Sequence, residues 1–210
     1  MYMASLNEYR PTEYSQAWMK MWLIDNRRLE IAKKFQLART SLIRTVYSKY
    51  YPLLLPKVEP LLVYFEQQSA MAKDINELLG FEGNFVKSFY GEVSRHYGVI
   101  NFRREPQEGK GINSYITHGN YLAYGIAGTV LWIMGIPFSL PLSHGTTRRG
   151  GLVFDVADLY KEALVLNLAF EHGIEGNDSR LLRKDVIDFF DKNNIIRYIF
   201  QYIKEITEIL

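Results

Sequence analysis

The chain has 210 residues, of which 48% are hydrophobic and 14% aromatic, so it carries enough apolar material to pack one domain, residues 1–210. Its formal net charge of +2 is nearly neutral, so any nucleic-acid binding has to depend on where the basic residues lie rather than on their total. The absence of cysteine excludes disulfides, thiolate metal sites and a cysteine nucleophile.

The first third of the chain predicts a long helix that carries basic residues. Apolar residues recur at helical spacing from an N-cap at Thr12 to Phe35, with room for one break. A single acid, Glu30, accompanies the basic residues that follow, which are Arg27, Arg28, Lys33, Lys34, Arg39, Arg44 and Lys49. This basic segment is either a solvated helix face paired with acids elsewhere or a surface that contacts phosphates, and the sequence leaves both open.

Helical patterns predict two more helices, over 61–73 and 74–96, after a turn punctuated by prolines. Glu82 falls inside the apolar stripe of the second, beside Phe85 and Val86. Burying an unpaired carboxylate costs several kcal/mol, so Glu82 must reach solvent, pair with a cation, or help to bind a metal.

Residues 111–147 contain no Asp, Glu, Lys or Arg. Glycines and prolines interrupt this run too often for a membrane span, so it predicts a helix over 113–135 that is buried inside a protein and no membrane association. The N-terminus also lacks a basic segment followed by an apolar one. We therefore expect a cytoplasmic protein.

A further helix is predicted from Leu152 to about Phe170, and it places acids among apolar neighbours. Asp155 and Asp158 are three residues apart and so share one side of a helix, and Glu162 extends that side by a turn. Two shorter helices, over 179–193 and 195–210, end the chain. Because no segment shows the alternation expected of strands, the fold class is all-α.

The acids near residue 155 are expected either to pair with cations or to bind a metal. Arg148, Arg149 and Lys161 are close enough in sequence to form a structural ion network. Alternatively, His144 ends the charge-free run just before the turn that leads to Asp155 and Asp158, so an imidazole and carboxylates could converge. One histidine with carboxylates suits Mg²⁺ or Mn²⁺, and arginines on a glycine-rich loop suit phosphate oxygens.

Five motifs in this order resemble one known family. They are Asn7 to Tyr14, Glu82-Gly83, His118 to Gly125, Gly135 to Pro137, and the specific block His144 to Leu159. The chain resembles the CRISPR-associated integrase that captures new spacers, the first-numbered of the Cas proteins, in its type I-F form. That likeness implies a helical catalytic domain that cuts DNA and joins a prespacer 3′-hydroxyl to the CRISPR repeat by transesterification.

The resemblance also assigns residues. The metal ligands of the family fall on Glu82, His144 and Asp158, with Asp155 as a supporting acid, and Lys161 and Tyr124 match positions near the DNA strands. The other residues predicted to contact DNA are Arg148, Arg149, Arg27, Arg28, Lys33 and Lys34. The implied partners are double-stranded prespacer and repeat DNA, a second subunit in the full-length protein, and a small ferredoxin-like subunit fused to a helicase-nuclease.

Nothing in this sequence resembles the β-rich domain that precedes the helical domain in family members. We therefore expect either a piece of the catalytic half or a shortened relative. The alternative function is a catalytically inactive helical module that binds DNA or docks partners. Only the enzyme requires Glu82, His144 and Asp158 to converge on a cation.

Overall fold

The computed structural model describes residues 12–107, 109–145 and 148–208, which fold into α-helices with no strand among them. The helices are α1 (Glu13–Trp22), α2 (Asp25–Tyr50), α3 (Leu55–Met71), α4 (Ile75–His96), α5 (Gly111–Ile133), α6 (Gly151–Asp158), α7 (Lys161–Leu164), α8 (Leu166–Glu175), α9 (Ser179–Lys192) and α10 (Ile195–Glu208). The all-α prediction is confirmed. Most of the motif that begins at Asn7, and the predicted helix end at Leu210, lie outside the described residues.

Helix α5 lies at the centre of the C-terminal half and contacts α6, α7, α8, α9 and α10. Ile116, Ala123, Ala127 and Val130 on this helix are fully buried. The charge-free run therefore forms a buried helix, as predicted, although it begins two residues earlier than expected. Among the described residues, no helix combines the length and the hydropathy needed to cross a membrane.

The N-terminal half is built from α1 to α4. The long first helix breaks at Leu23, and α1 packs against both α2 and α10. Helices α3 and α4 pack together, and the side chain of Asp74 caps α4 by accepting a hydrogen bond from the Glu77 amide at 2.9 Å. The predicted start of α3 was wrong by six residues, because Pro56 lies in its first turn, where a missing N–H does no harm.

The single helix predicted from Leu152 to Phe170 is wrong, because the chain forms three helices there. Breaks at Leu159–Tyr160 and at Val165 separate α6, α7 and α8. At the first break, the hydroxyl of buried Tyr160 donates a hydrogen bond to the Ala123 carbonyl of α5. The predicted helix therefore breaks at the place where the chain makes a tertiary contact with α5.

Gly119 on α5 allows Val165 to approach closely. A Cβ built at Gly119 would lie 2.3 Å from Val165 Cγ1, whereas one built at Gly125, also on α5, would meet nothing within 4 Å. Val is stiff at χ1, so the side chain cannot easily turn away.

We expect Gly119→Ala to lower the free energy of unfolding by about 1–3 kcal/mol because of overpacking. Gly125→Ala is the matched control and should be neutral or stabilising by up to about 1 kcal/mol, since alanine favours the helix. Urea unfolding of both variants measures the difference. Equal stability of the two would contradict the close packing of α5 against Val165.

Candidate active site

His144 lies in the loop between α5 and α6, and α1 holds that loop in place. The indole Nε1 of Trp18 donates to the Leu140 carbonyl at 3.0 Å, and that of Trp22 donates to the Pro141 carbonyl at 2.7 Å. At the other end, a Cβ on Gly151 would lie 2.9 Å from the His144 carbonyl oxygen. A glycine at the start of α6 is therefore what lets the loop fold back over that helix.

Asp155 organises the turn that presents His144. Its buried carboxylate accepts hydrogen bonds from the amides of Leu142, Ser143 and His144 at 2.7, 3.2 and 3.3 Å. The His144 ring also contacts it, with Nδ1 2.9 Å from Oδ1. Because an ionised carboxylate can only accept, Nδ1 carries the proton, and in a neutral imidazole Nε2 would present a lone pair.

His144 Nε2 faces the next carboxylate, at 3.7 Å from Asp158 Oδ2. A lone pair opposite a carboxylate is unfavourable unless a proton or a cation lies between them. The His144 side chain is 17% exposed and that of Asp158 only 7%, so solvent reaches this gap mainly from the histidine side. The sequence prediction that His144, Asp155 and Asp158 come together is confirmed.

Lys161 enters this cluster from the first residue of α7, just after the break that ends α6. Its ammonium forms an ion pair with Asp158 Oδ1 and lies 3.6 Å from Glu162 Oε1. Lys161 is predicted to contact DNA, and in this structure its charge is committed to the two carboxylates. The break after Asp158 thus replaces the predicted straight row of acids with a bend that brings a cation between them.

Glu82 reaches the cluster through a buried arginine from α2. Nη1 of Arg39 lies 2.8 Å from Glu82 Oε1, and Nη2 lies 3.0 Å from Glu162 Oε1. The Arg39 side chain is only 1% exposed. Glu82, the acid in the apolar stripe of α4, is therefore paired with a cation, which was one of the three outcomes that the sequence left open.

The charged groups of the cluster shift one another's pKa values. Burial, together with the charge of Asp158, raises the pKa of Glu82 against the opposing effect of Arg39 and Lys161. Burial also opposes ionisation of Asp158, but Lys161, Arg39 and His144 outweigh it and lower the pKa of that carboxyl. The pKa of Lys161 is raised, because Asp158 and Glu162 overcome the cost of burying its charge.

The donor set fits a divalent cation in type, although no metal geometry is preformed. Four carboxylates, those of Glu82, Asp155, Asp158 and Glu162, face two permanent cations, Arg39 and Lys161, and one imidazole. Neither oxygen of buried Glu162 accepts an aligned hydrogen bond. Nevertheless, in the part of the chain that the structure describes, no three His, Asp or Glu side chains are arranged to hold a metal ion.

The predicted DNA contacts next to the cluster lie on its exposed side. Arg148 and Arg149 are exposed, and the guanidinium of Arg148 stacks over the Phe154 ring at 3.6 Å from its centroid. Tyr124 packs edge-on against the same ring at 4.7 Å, and burial raises the pKa of its hydroxyl. His144 is also near Phe154, with ring centroids 5.8 Å apart. An aromatic surface therefore leads from the cluster to Arg148.

The basic segment of α2 is not one continuous surface. Arg27 and Lys34 are exposed, but Arg28 pairs with Asp25 at 3.2 Å, and Lys33 donates to a carbonyl of α3 at 2.9 Å. Further along, Arg39 is buried and Arg44 pairs with acids of α3. Arg28 also lines a cleft of about 490 Å³ that includes His144. Most of the segment thus pairs with groups of the protein itself, and a contact with phosphates stays a prediction for its exposed residues.

Sequence reasoning did not select Arg39 or Glu162 as site residues. A signal was present for Arg39, because it lies four residues after Phe35 and four before Ile43, at positions that are all buried. A charge inside an apolar stripe had singled out Glu82 in the same way. Glu162 had been noted with the acids of its helix but not as a partner of Arg39.

Comparison with known proteins identifies the family of this chain. The family described as CRISPR associated protein Cas1 matches residues 2–178. The chain belongs to this family. It is 35% identical over 199 residues to the protein named CRISPR-associated endonuclease Cas1 from Pectobacterium atrosepticum (strain SCRI 1043), a match that covers 90% of this chain. The chain spans 61% of the length of that Cas1 relative.

Solved structures share the helical fold at lower identity. A CAS1 protein from Thermotoga maritima matches 98% of this chain and 73% of its own with a TM-score of 0.81 at 17% identity. The crystal structure of a TtCas1-DNA complex matches 100% of this chain and 71% of its own with a TM-score of 0.73 at 19% identity. These likenesses establish the fold of the Cas1 helical domain, and the type I-F subtype stays a prediction.

Breaking the buried pairs of Arg39 should strongly destabilise the protein. We expect Arg39→Met to cost about 3–5 kcal/mol of unfolding free energy, since it leaves Glu82 and Glu162 buried without their cation. Arg44→Met is the control, because Arg44 pairs with Glu59 and Glu66 at a site 30% exposed and should cost about 1 kcal/mol or less. Guanidinium unfolding gives both values, and similar losses would show that burial of Arg39 is unimportant.

Asp155 should control the protonation of His144 in protein kept free of metal with EDTA. Burial opposes the charged ring, but the Asp155 hydrogen bond and Asp158 raise the pKa of His144 above its usual value of about 6.5. The raised pKa stabilises the folded protein. This stabilisation is complete at pH values below the pKa of His144 in the unfolded chain, and it is lost as the pH rises through the pKa in the folded protein.

We expect Asp155→Asn to lower the pKa of His144 and to shrink that pH-dependent stability. NMR titration of the imidazole, assigned with a His144→Ala sample, measures the change. Asp185→Asn, which alters an acid that contacts His172 instead, is the control. An unchanged His144 pKa in Asp155→Asn would show that the carboxylate does not stabilise the imidazolium.

Proposed function

We propose that this Cas1-family chain is the catalytic helical domain of a metal-dependent DNA endonuclease and integrase. One observation supports this most directly: His144 and Asp158 face each other across a 3.7 Å gap on the accessible side of a cluster with more carboxylates than cations. Such a gap favours a cation. In the proposed reaction, a prespacer 3′-hydroxyl attacks a phosphodiester of the CRISPR repeat, and the 3′-oxygen of the cut strand leaves.

Glu82, His144 and Asp158 are the residues that would hold Mg²⁺ or Mn²⁺. The bound cation would stabilise negative charge on the attacked phosphate and on the leaving oxygen. Asp155 is the supporting acid, because it fixes the proton on His144 Nδ1 and turns Nε2 towards Asp158. The ammonium of Lys161 would move from Asp158 towards DNA phosphate when the carboxylate takes a metal.

The exposed cations next to the cluster would bind the DNA backbone. Arg148 and Arg149 lie on the loop before α6, and Tyr124 and Phe154 offer ring surfaces beside His144. Arg27, Arg28 and Lys34 extend this basic character along α2, with Arg28 on the cleft that reaches His144. Lys33 would first have to leave the Ala70 carbonyl, so we expect it to contribute least to DNA binding.

The partners are part of the same proposal. Double-stranded prespacer and repeat DNA would be the substrates, as DNA is in the TtCas1-DNA complex. A second Cas1 subunit in the full-length protein, and a small ferredoxin-like subunit fused to a helicase-nuclease, would set the separation of two active sites. Paired insertion would need those partners, whereas cutting of DNA would need only the cluster within this chain.

His144→Ala and Asp158→Ala should each reduce Mn²⁺-dependent cleavage of plasmid DNA by a factor on the order of 10² or more, since several kcal/mol of charge stabilisation would be lost. Asp185→Ala removes an acid outside the cluster and should cleave as wild type does. Circular dichroism checks folding, and Mn²⁺ titration followed by electron paramagnetic resonance measures metal binding.

The same assay decides between the enzyme and the inactive module. Cleavage that persists in both His144→Ala and Asp158→Ala would remove these residues from catalysis. DNA binding by a wild-type protein that neither binds Mn²⁺ nor cleaves would favour the inactive DNA-binding module, with the cluster acting as a structural ion network.

A further inference from the structure

Arg104, in the segment between α4 and α5, holds its charge in an unusual setting. Its Nη1 donates to the carbonyl and the side-chain oxygen of Asn113 at 3.2 and 3.0 Å, and its Nη2 donates to Thr117 Oγ1 at 2.8 Å. All three acceptors are neutral. Within residues 12–107, 109–145 and 148–208, no carboxylate forms an ion pair with it, and the other arginines that lack such a partner are all exposed.

The charge of Arg104 is therefore partly desolvated, with hydrogen bonds to neutral groups but with no carboxylate paired to it among the described residues. Burial lowers the pKa of Arg104, and the ionisable groups that act on it in the opposite direction are Tyr90 and Tyr124. Burial raises the pKa of both tyrosines, so at neutral pH both are uncharged and offset nothing. A guanidinium withdrawn from water is costly unless an anion pairs with it.

The position of Arg104 connects it with the candidate active site. Arg104 is hydrogen-bonded to Asn113 and Thr117 on α5. Tyr124 lies two turns after Thr117 on the same face of that helix, at a rise of roughly 10 Å. Tyr124 is also close enough to Lys161 and Asp158 for their charges to affect its pKa. Tyr124 packs on Phe154, which in turn lies beside His144. Arg104 thus lies at one end of an aromatic surface, and the cluster with His144 lies at the other.

The donors that remain on Arg104 match a phosphate. Three hydrogen bonds to Asn113 and Thr117 fix the plane of the guanidinium, which has five N–H groups. Among the described residues, the Nε N–H and one Nη2 N–H are left without an acceptor, and Nε and Nη2 share one edge of the guanidinium. Two parallel donors on a fixed edge are the arrangement that binds two oxygens of a phosphate.

We infer that Arg104 binds a phosphodiester of the DNA strand that runs over Tyr124 and Phe154 to His144. This inference rests on the proposed function and adds a substrate-positioning residue to it. The rival explanation is structural, namely that Arg104 only ties the segment before α5 to Asn113 and Thr117. The two differ in how DNA affinity depends on salt, because only a phosphate contact releases counterions.

The experiment measures binding of labelled duplex DNA in EDTA over a range of salt concentrations, by fluorescence anisotropy. Arg104→Gln should reduce the slope of log K against log salt by about 0.9, the value for one phosphate contact. Arg103→Gln, at the exposed neighbouring position, should leave the slope unchanged. Thr117→Val removes one structural acceptor of Arg104 but keeps its charge, so it too should keep the slope.

An unchanged slope in Arg104→Gln overturns the inference, as does an equal reduction in Arg103→Gln or Thr117→Val. Wild-type binding without salt dependence overturns it as well. If Arg104→Gln fails to fold, Arg104→Lys replaces it: the wild-type slope with roughly tenfold weaker affinity supports a bidentate contact, and wild-type affinity at every salt concentration overturns it.

Failure of this inference is distinguishable from failure of the proposed function. A wild-type protein that shows the Arg104-dependent slope but does not cleave DNA with Mn²⁺ rejects the enzyme and keeps the phosphate contact. A wild-type protein that cleaves DNA while Arg104→Gln keeps the full slope rejects the contact and keeps the enzyme.

Discussion

The burial of charge among α2, α4 and α7 is the constraint on which the rest of this structure depends. Glu82 from α4 and Glu162 from α7 lie in the interior, and the guanidinium of Arg39 from α2 lies between them. Each pairing joins helices that are far apart in sequence, so the three helices cannot shift independently without exposing a charge to an apolar environment. Buried ion pairs often add little net stability, but breaking one is costly, which gives such a network a strong influence on geometry.

The accessible side of that network is organised by a different carboxylate. Asp155 accepts three backbone amides and the His144 ring, and it thereby shapes the loop that α1 holds through Trp18 and Trp22. The buried pairs with Arg39 hold the interior side of the site in place, and Asp155 holds the more accessible loop that carries His144. Asp158 belongs to both, because it contacts Lys161 on one side and faces His144 on the other.

Basic residues in this chain have divided roles, and the division explains why the net charge of +2 is uninformative. Arg39, Arg44 and Lys161 neutralise acids within the fold. Arg148 remains exposed on an aromatic surface, and Arg104 keeps its charge among neutral acceptors. Only cations of the second kind are free to bind an added anion without first breaking an ion pair.

The amino-acid sequence by itself determined the fold class, the buried α5 and the family, because helical periodicity and the block from His144 to Leu159 are local patterns. It also singled out Glu82 and Asp158, since a carboxylate among apolar residues at helical spacing can be recognised from the sequence alone. The cation that pairs with each buried acid could not be predicted from the sequence. Arg39 looked like part of a basic segment that was either solvated or in contact with phosphates, and the helix from Leu152 looked continuous.

Only the tertiary structure decided those points, because they depend on contacts between residues far apart along the chain. The partner of Glu82 is 43 positions away, and the hydroxyl of Tyr160 meets a carbonyl 37 positions away where the predicted helix breaks. Local propensity favours a helix through Leu159 and Tyr160, but burial against α5 overrides it. Packing therefore determines which charges are paired inside the protein and which remain available to an added anion.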